Sequence, residues 1–236
     1  MTHKKKYPLR ATDFDKYQRI KPSCILELFQ DVAGEHAESF GAGYLDMKNK
    51  GQMWVIIRTK YISILPIERY STVEVETWPL KSRGLVFRRE YQIRNEKGEI
   101  CIKGSSDWAI VSAEKRSLVV NKNVYPFESM REDLAIDEKL TKLPLFTEYH
   151  NSHETSFGFS AIDQNHHVNN VQYVNAVFDG LGDFDKEIIS FQIDYHKEIL
   201  QDEKVTLYYN FNQKEINVKG NKNENDLSFQ TRLVIK

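Results

Sequence analysis

The chain has 236 residues, enough for one large domain or two small ones, with 33 Lys and Arg against 34 Asp and Glu and a net charge of −1. Charges this balanced and this well mixed exclude an electrostatic nucleic-acid binder, and no apolar run approaches the ~18 residues needed to cross a bilayer. Nothing has the pattern of a signal peptide, so the expectation is a soluble, cytoplasmic protein without membrane contact. Cys24 and Cys101 show neither metal-ligand nor disulfide spacing and read as small buried hydrophobes.

Tyr7 to Phe14 reads as an opening strand. From Pro22, well placed in a first helical turn, Ile25, Leu26, Leu28, Phe29, Val32, Ala33, Ala37 and Phe40 recur at a 3.6 period until Gly41 and Gly43. That is one long amphipathic helix with a broad apolar face, and its His36 reads as a hydrogen-bonded histidine rather than a ligand. After a polar loop, strands are expected at Trp54 to Ile64, Thr72 to Trp78, Leu85 to Arg94 and Glu99 to Ala113. In the third of these Phe87, Tyr91 and Ile93 alternate against Arg88, Glu90 and Gln92, and Asn95-Glu96-Lys97-Gly98 supplies the turn. Strand, helix and four strands on short turns predict an antiparallel sheet wrapped around a helix.

Residues from Glu114 to Pro144 break this rhythm, with a charged helical piece at Glu128 to Leu140 that reads as a surface connector. The order then restarts. A strand is expected at Thr155 to Ile162, a helix carrying Val171, Val174, Val177, Phe178 and Leu181, and strands at Ile188 to Lys197, Lys204 to Phe211, Glu215 to Lys219 and Asp226 to Ile235. Lys219-Gly220-Asn221 reads as a turn. Asp15-Lys16-Tyr17-Gln18-Arg19-Ile20 aligns with Asp163-Gln164-Asn165-His166-His167-Val168, and Ser71 to Val75 with Glu203 to Leu207. The chain is therefore expected to be two copies of one unit, residues 1–125 and 148–236 joined by 126–147.

Between strand and helix of the second copy lies the densest polar stretch. Asp163, Asn165 and His167 fall at alternating positions that an extended backbone would aim one way, and Asn169 and Asn170 are candidate helix caps. A helix start also offers N–H groups without intrahelical partners, able to hold a developing negative charge. The first copy has Tyr17 and Arg19 where the second has Asn165 and His167, so one active site per chain is expected.

The segment Asp163-x-Asn165-x-His167-Val168-Asn169-Asn170, set in the second of two copies, resembles the acyl-acyl-carrier-protein thioesterases, a family of two fused hotdog folds. Met53-Trp54-Val55-Ile56, Thr77-Trp78-Pro79, Ser106-Asp107-Trp108-Ala109 and Tyr195-His196-Lys197-Glu198 support it. The resemblance implies an α+β fold of two hotdog domains, and hydrolysis of a fatty acyl thioester on phosphopantetheine-bearing acyl carrier protein, ending fatty acid synthesis. No cofactor is expected, and no metal site is expected on His166 and His167, because adjacent histidines on an extended chain point apart. Its functional residues carry over to Asp163, Asn165, His167 and Glu198, and Ile199 stands where plant members have a cysteine, so a thiol nucleophile is not available there.

In the chemistry this implies, Glu198 or Asp163 activates a water, or else Asp163 attacks directly to form a mixed anhydride. His167 moves the proton, Asn165 orients, and the backbone N–H groups of Val168, Asn169 and Asn170 hold the oxyanion. By the same resemblance the acyl chain would lie between the first helix and its sheet. The acidic carrier protein would meet a basic surface drawn from Lys81, Arg83, Arg88, Arg89, His196 and Lys197. An acyl-coenzyme A thioesterase or a non-catalytic acyl-binding protein remain alternatives, and either a monomer or a homodimer is compatible with the repeat.

Overall fold

The computed structural model of the chain describes residues 2–81, 84–120, 124–125 and 130–236. It divides into two compact units, Met1–Lys21 with Ile25–Leu140, and Pro22–Cys24 with Thr141–Lys236.

The first unit carries strands β1 (His3–Pro8), β2 (Gln52–Ser63), β3 (Thr72–Pro79), β4 (Phe87–Arg94) and β5 (Ile100–Ser112), with helices α1 (Pro22–Glu38) and α2 (Tyr44–Asn49). Its antiparallel sheet runs β1-β3-β4-β5-β2. The second carries β6 (Asn151–Ser156), α3 (Asn170–Leu181), β7 (Ile188–Tyr195), β8 (Lys204–Phe211), β9 (Glu215–Asn221) and β10 (Leu227–Ile235), with its sheet in the order β7-β10-β9-β8-β6. Read from its opposite edge this is the same sequence of strands, β6 answering β1, β8 answering β3, and so on.

The two opening strands are shorter than the alternation predicts and begin earlier. Each gives way to a single 3-10 turn, at Ala11–Asp13 and at Phe159–Ala161, where the chain leaves the sheet edge for the loop before the helix. The stretch before β2, expected as a loop, includes the short helix α2. Gly220 lies inside β9 rather than in a turn, because the Phe229 ring packs over it: a Cβ there would stand 2.2 Å from the ring.

The inner face of the first sheet meets α1. Phe29 stacks on Tyr91 with ring centroids 4.2 Å apart, and Gly104 of β5 leaves room for that ring. Arg89, on the same face as Phe87 and Tyr91, is buried and donates to His36 Nδ1 at 3.0 Å and to Thr77 Oγ1 at 3.3 Å. Burial, helped by the charge of Arg89, pushes the His36 imidazole down from its ordinary 6.5 to about 3, so it serves as a neutral acceptor.

On the outer face the segment from Met130 to Leu140 forms no helix; the expected helical residues before Met130 lie outside the described ones. The strap's backbone groups are drawn instead to buried side chains. Trp78 Nε1 donates to Asp133 O at 2.9 Å, and Glu90 Oε2 accepts the Ala135 N–H at 2.8 Å. Arg131 lies 3.9 Å over the Trp78 ring. In the second unit Asp194 Oδ2 takes the Leu143 N–H at 2.8 Å, and Gln230 Nε2 donates to Leu143 O at 2.9 Å.

Candidate active site

The loop from Asp163 to His167 is closed rather than extended. Ile162 and Val168 form a bridge, Asp163 N–H donates to His167 O at 2.9 Å, and His166 N–H donates to Asp163 O at 3.0 Å. Asp163 Oδ1 accepts the Asn165 N–H at 2.8 Å, the local bond that makes Asp a turn former, and His166 takes the left-handed φ of 66° the turn needs. The approach of His167 to Asp163 thus arises from turn closure and not from strand alternation, and Asn165 joins them through its backbone N–H. His166, at the tip, is exposed.

His167 is held between two carboxylates. Its Nδ1 lies 3.7 Å from Asp163 Oδ1 and its Nε2 lies 3.9 Å from Glu198 Oε2. Both distances are those of ion pairs, longer than hydrogen bonds, as is common before substrate tightens a site. Glu198 has 42 % of its side chain exposed against 17 % for Asp163 and His167. One carboxylate can therefore orient the imidazole from within while the other faces arriving water, and the ring nitrogens connect the two.

Glu198 reaches this position because the chain after β7 folds back along the motif. The carbonyl of Ile199 accepts the Val168 N–H at 2.8 Å, and the Ile199 N–H donates to the Tyr173 hydroxyl at 3.0 Å. The Ile199 side chain is fully buried.

This geometry corrects the expected oxyanion donors. The Val168 N–H is spent on Ile199 O, and the Asn169 N–H on Ala161 O at 2.8 Å. Asn169 is the helix cap, its Oδ1 accepting from Val171 N at 3.0 Å. Of the three, only the Asn170 N–H, at the first position of α3, has no protein acceptor among the described residues. Tyr173 escaped sequence reading because it sits in a helical apolar pattern where a tyrosine passes as core; the available signal was a lone phenol one turn beyond the motif.

Half of the expected basic surface is already engaged. Arg89 is buried behind the sheet face, Arg88 donates to Glu90 Oε1 at 2.6 Å, and Lys197 pairs with Asp226. His196 is half-buried, Lys81 is exposed, and Arg83 lies outside the described residues.

The corresponding loop of the first unit has the same backbone. Asp15 N–H donates to Arg19 O at 2.8 Å, Gln18 N–H to Asp15 O at 3.0 Å, and Asp15 Oδ1 accepts the Tyr17 N–H at 2.8 Å, with Gln18 at φ 65°. Its chemistry is closed off: Arg19 Nη2 pairs with Asp15 Oδ2 at 2.8 Å and the guanidinium covers the Tyr17 ring at 4.8 Å. Strand register extends the match, since Tyr61 faces Gly104 as Ile193 faces Thr231, and Tyr91 faces Gly104 as Val218 faces Thr231. Counting on from there, Tyr70 and Asp202 coincide, both left-handed with φ 61° and 62°, and Pro66 stands where Glu198 stands.

Family models identify both halves. The acyl-ACP thioesterase N-terminal domain matches residues 1–125 and the C-terminal domain matches residues 147–236. The chain belongs to the acyl-ACP thioesterase family. A palmitoyl-acyl carrier protein thioesterase of Gossypium hirsutum is 28% identical over 192 residues, which are 73% of this chain and 45% of that protein. A dodecanoyl-[acyl-carrier-protein] hydrolase of Umbellularia californica is 27% identical over 225 residues, 86% of this chain and 57% of that one. The chain thus spans roughly half the length of these curated relatives. Among solved structures, an acyl-ACP thioesterase of Bacteroides thetaiotaomicron superposes with a TM-score of 0.88 at 19% identity, over 100% of this chain and 98% of that one. The 12:0-ACP thioesterase of Umbellularia californica gives 0.89 at 21% identity, over 100% and 97%. At these identities the likeness is one of fold, the α+β hotdog type.

Proposed function

We propose that this family member hydrolyses fatty acyl thioesters carried on acyl carrier protein, releasing free fatty acid and so ending chain elongation. The observation that carries the reading is His167 between Asp163 and Glu198 at the mouth of a helix start, found only in the second of two like loops.

Glu198, the more exposed carboxylate, takes a proton from a water as that water adds to the thioester carbonyl carbon. The Asn170 N–H and the Asn165 side-chain amide are assigned to the charge that develops on the carbonyl oxygen. A single such donor is typically worth ~2.7 to 4 kcal/mol of transition-state stabilisation. When the C–S bond breaks, the proton returns through His167 to the departing thiolate, and Asp163 keeps the imidazole turned toward Glu198. Ile199, fully buried, has no nucleophilic role.

The test is acid or thiol release from acyl carrier proteins loaded with saturated and unsaturated chains of increasing length, beside the matching coenzyme A esters. Faster turnover of the carrier-bound esters is expected. Turnover of the coenzyme A esters alone would reassign the substrate, and an Asp163→Ala variant that binds acyl ligand but has lost turnover separates an enzyme from an acyl-binding protein. Action in the cytoplasm belongs to the same proposal. Among the described residues no helix is long and apolar enough to cross a membrane.

A further inference from the structure

Tyr173 is a fully built hydrogen-bonding position with no part in the chemistry above. It lies on α3, 2 % exposed, with its ring against Phe157, Tyr195 and Phe229 at centroid distances of 6.1, 5.6 and 5.1 Å. Three sides of the ring are thereby fixed, and the hydroxyl has one direction to point. There it meets the N–H of Ile199 at 3.0 Å, while the carbonyl of the same residue takes the Val168 N–H at 2.8 Å. The peptide group that follows Glu198 is thus pinned at its nitrogen by the helix and, one atom group later, by the end of the motif loop.

We propose that Tyr173 is a positioning residue that sets Glu198 against His167 by anchoring the peptide nitrogen of Ile199. The inference rests on the catalytic reading of Glu198. Comparison within the chain supports it. Counting from the shared helix start, Pro22 against Asn170, the position of Tyr173 is held in the first unit by Ile25, a buried aliphatic residue with no hydroxyl. That unit has Pro66 in place of Glu198 and so has no carboxylate to aim. The hydroxyl is present where the carboxylate is present. Burial keeps the Tyr173 phenol well above the ordinary tyrosine range, and the charges of Glu198 and Asp163 both reach it, so it remains a neutral hydroxyl beside the two acids.

A double-mutant cycle on the full chain tests this, with Tyr173→Phe, Glu198→Gln and the pair, assayed on an acyl carrier protein loaded with the best chain. Tyr173→Phe should lower kcat about 10- to 100-fold with KM unchanged, the scale of a misplaced general base. It should shift the pH profile of kcat/KM, and the double variant should be no slower than Glu198→Gln alone. Tyr209→Phe is the structural control, since it removes another buried hydroxyl, donating to Val177 O at 3.1 Å at the far end of the same helix; it should lower thermal stability and leave kcat in place. Independent, multiplying losses in the double variant would overturn the proposal, as would an equal loss of kcat in Tyr209→Phe. Full activity of Glu198→Gln by itself would remove the catalytic reading, and the positioning role with it.

Discussion

The loops Asp15–Ile20 and Asp163–Val168 share a backbone down to the hydrogen bonds and the left-handed fourth residue, and differ in what their side chains leave available. In the first, arginine closes on its own aspartate and stacks on the tyrosine between them, so charge is neutralised inside the loop. In the second, a smaller histidine stops 3.7 Å short of the aspartate, and its far nitrogen faces a second carboxylate supplied from beyond β7. One scaffold therefore serves both purposes. A turn stabilised by an Asp accepting from the main chain is a stable structure in its own right, and chemistry is added by what stands at two positions of the turn and one position across from it.

The largest break in this comparison should come from the site itself. Replacing His167 by Ala, or Glu198 by Gln, should lower kcat by about 10²- to 10⁴-fold, the usual worth of a positioned acid–base group, while Tyr17→Ala leaves kcat where it was. Steady-state thiol release measures both, and equal losses in the two loops would dissolve the distinction between them.

A smaller effect separates the two sheet faces. At the register position where β5 has Gly104, β10 has Thr231, because Phe29 of α1 occupies the space that a side chain would need. Gly104→Ala would place a Cβ 2.2 Å from that ring and should destabilise by about 1 to 3 kcal/mol, the range for overpacking. Denaturant unfolding would show it as a lowered midpoint, and Thr231→Ala should shift that midpoint less.

The helix starts differ as well. Asn169→Ala removes the bond to Val171 N and should cost about 0.5 to 2 kcal/mol. Lys21, in the matching position before Pro22, makes no side-chain cap bond, so Lys21→Ala should cost less in the same melt.

The last prediction has its smallest size at neutral pH. His36 is held near 3 in the folded protein by burial, then by the charges of Arg89 and His3, against an ordinary value of 6.5. The unfolded chain therefore binds a proton below about 6.5 that the native state refuses, and the associated stability is whole above that pH and is lost as pH falls from 6.5 toward 3. A His36→Gln variant should show a flatter fall in unfolding free energy between pH 7 and pH 5 than the parent; parallel curves would mean that His36 is not the group concerned.

Much of this architecture was readable from residue order alone. The two-fold alternation in Val73, Val75 and Thr77, the 3.6 period from Ile25 to Phe40, and the register of Asp15 on Asp163 and of Ser71 on Glu203 each reflect a local rule that the fold obeys. The expected helix past Met130 failed for a local reason of its own: composition favoured it, but buried Glu90 and Trp78 offered that backbone better partners. Arg89 was misplaced for the opposite cause. A charged residue on an apolar face reads as surface until the helix opposite is known to present His36 to it.

The sequence by itself determined the doubled unit, the long helix and main strands of each copy, and which copy holds Asp163, Asn165 and His167, because strand period, helix period and turn-forming residues act over a few positions. Only the tertiary structure decided how those residues can be used. That Val168 has no N–H to offer, that Glu198 comes within 3.9 Å of His167, and that Tyr173 holds the Ile199 peptide all depend on contacts between residues 26 to 31 positions apart. Such bonds are set by where the chain is pressed together during packing, and no local preference of the residues encodes them.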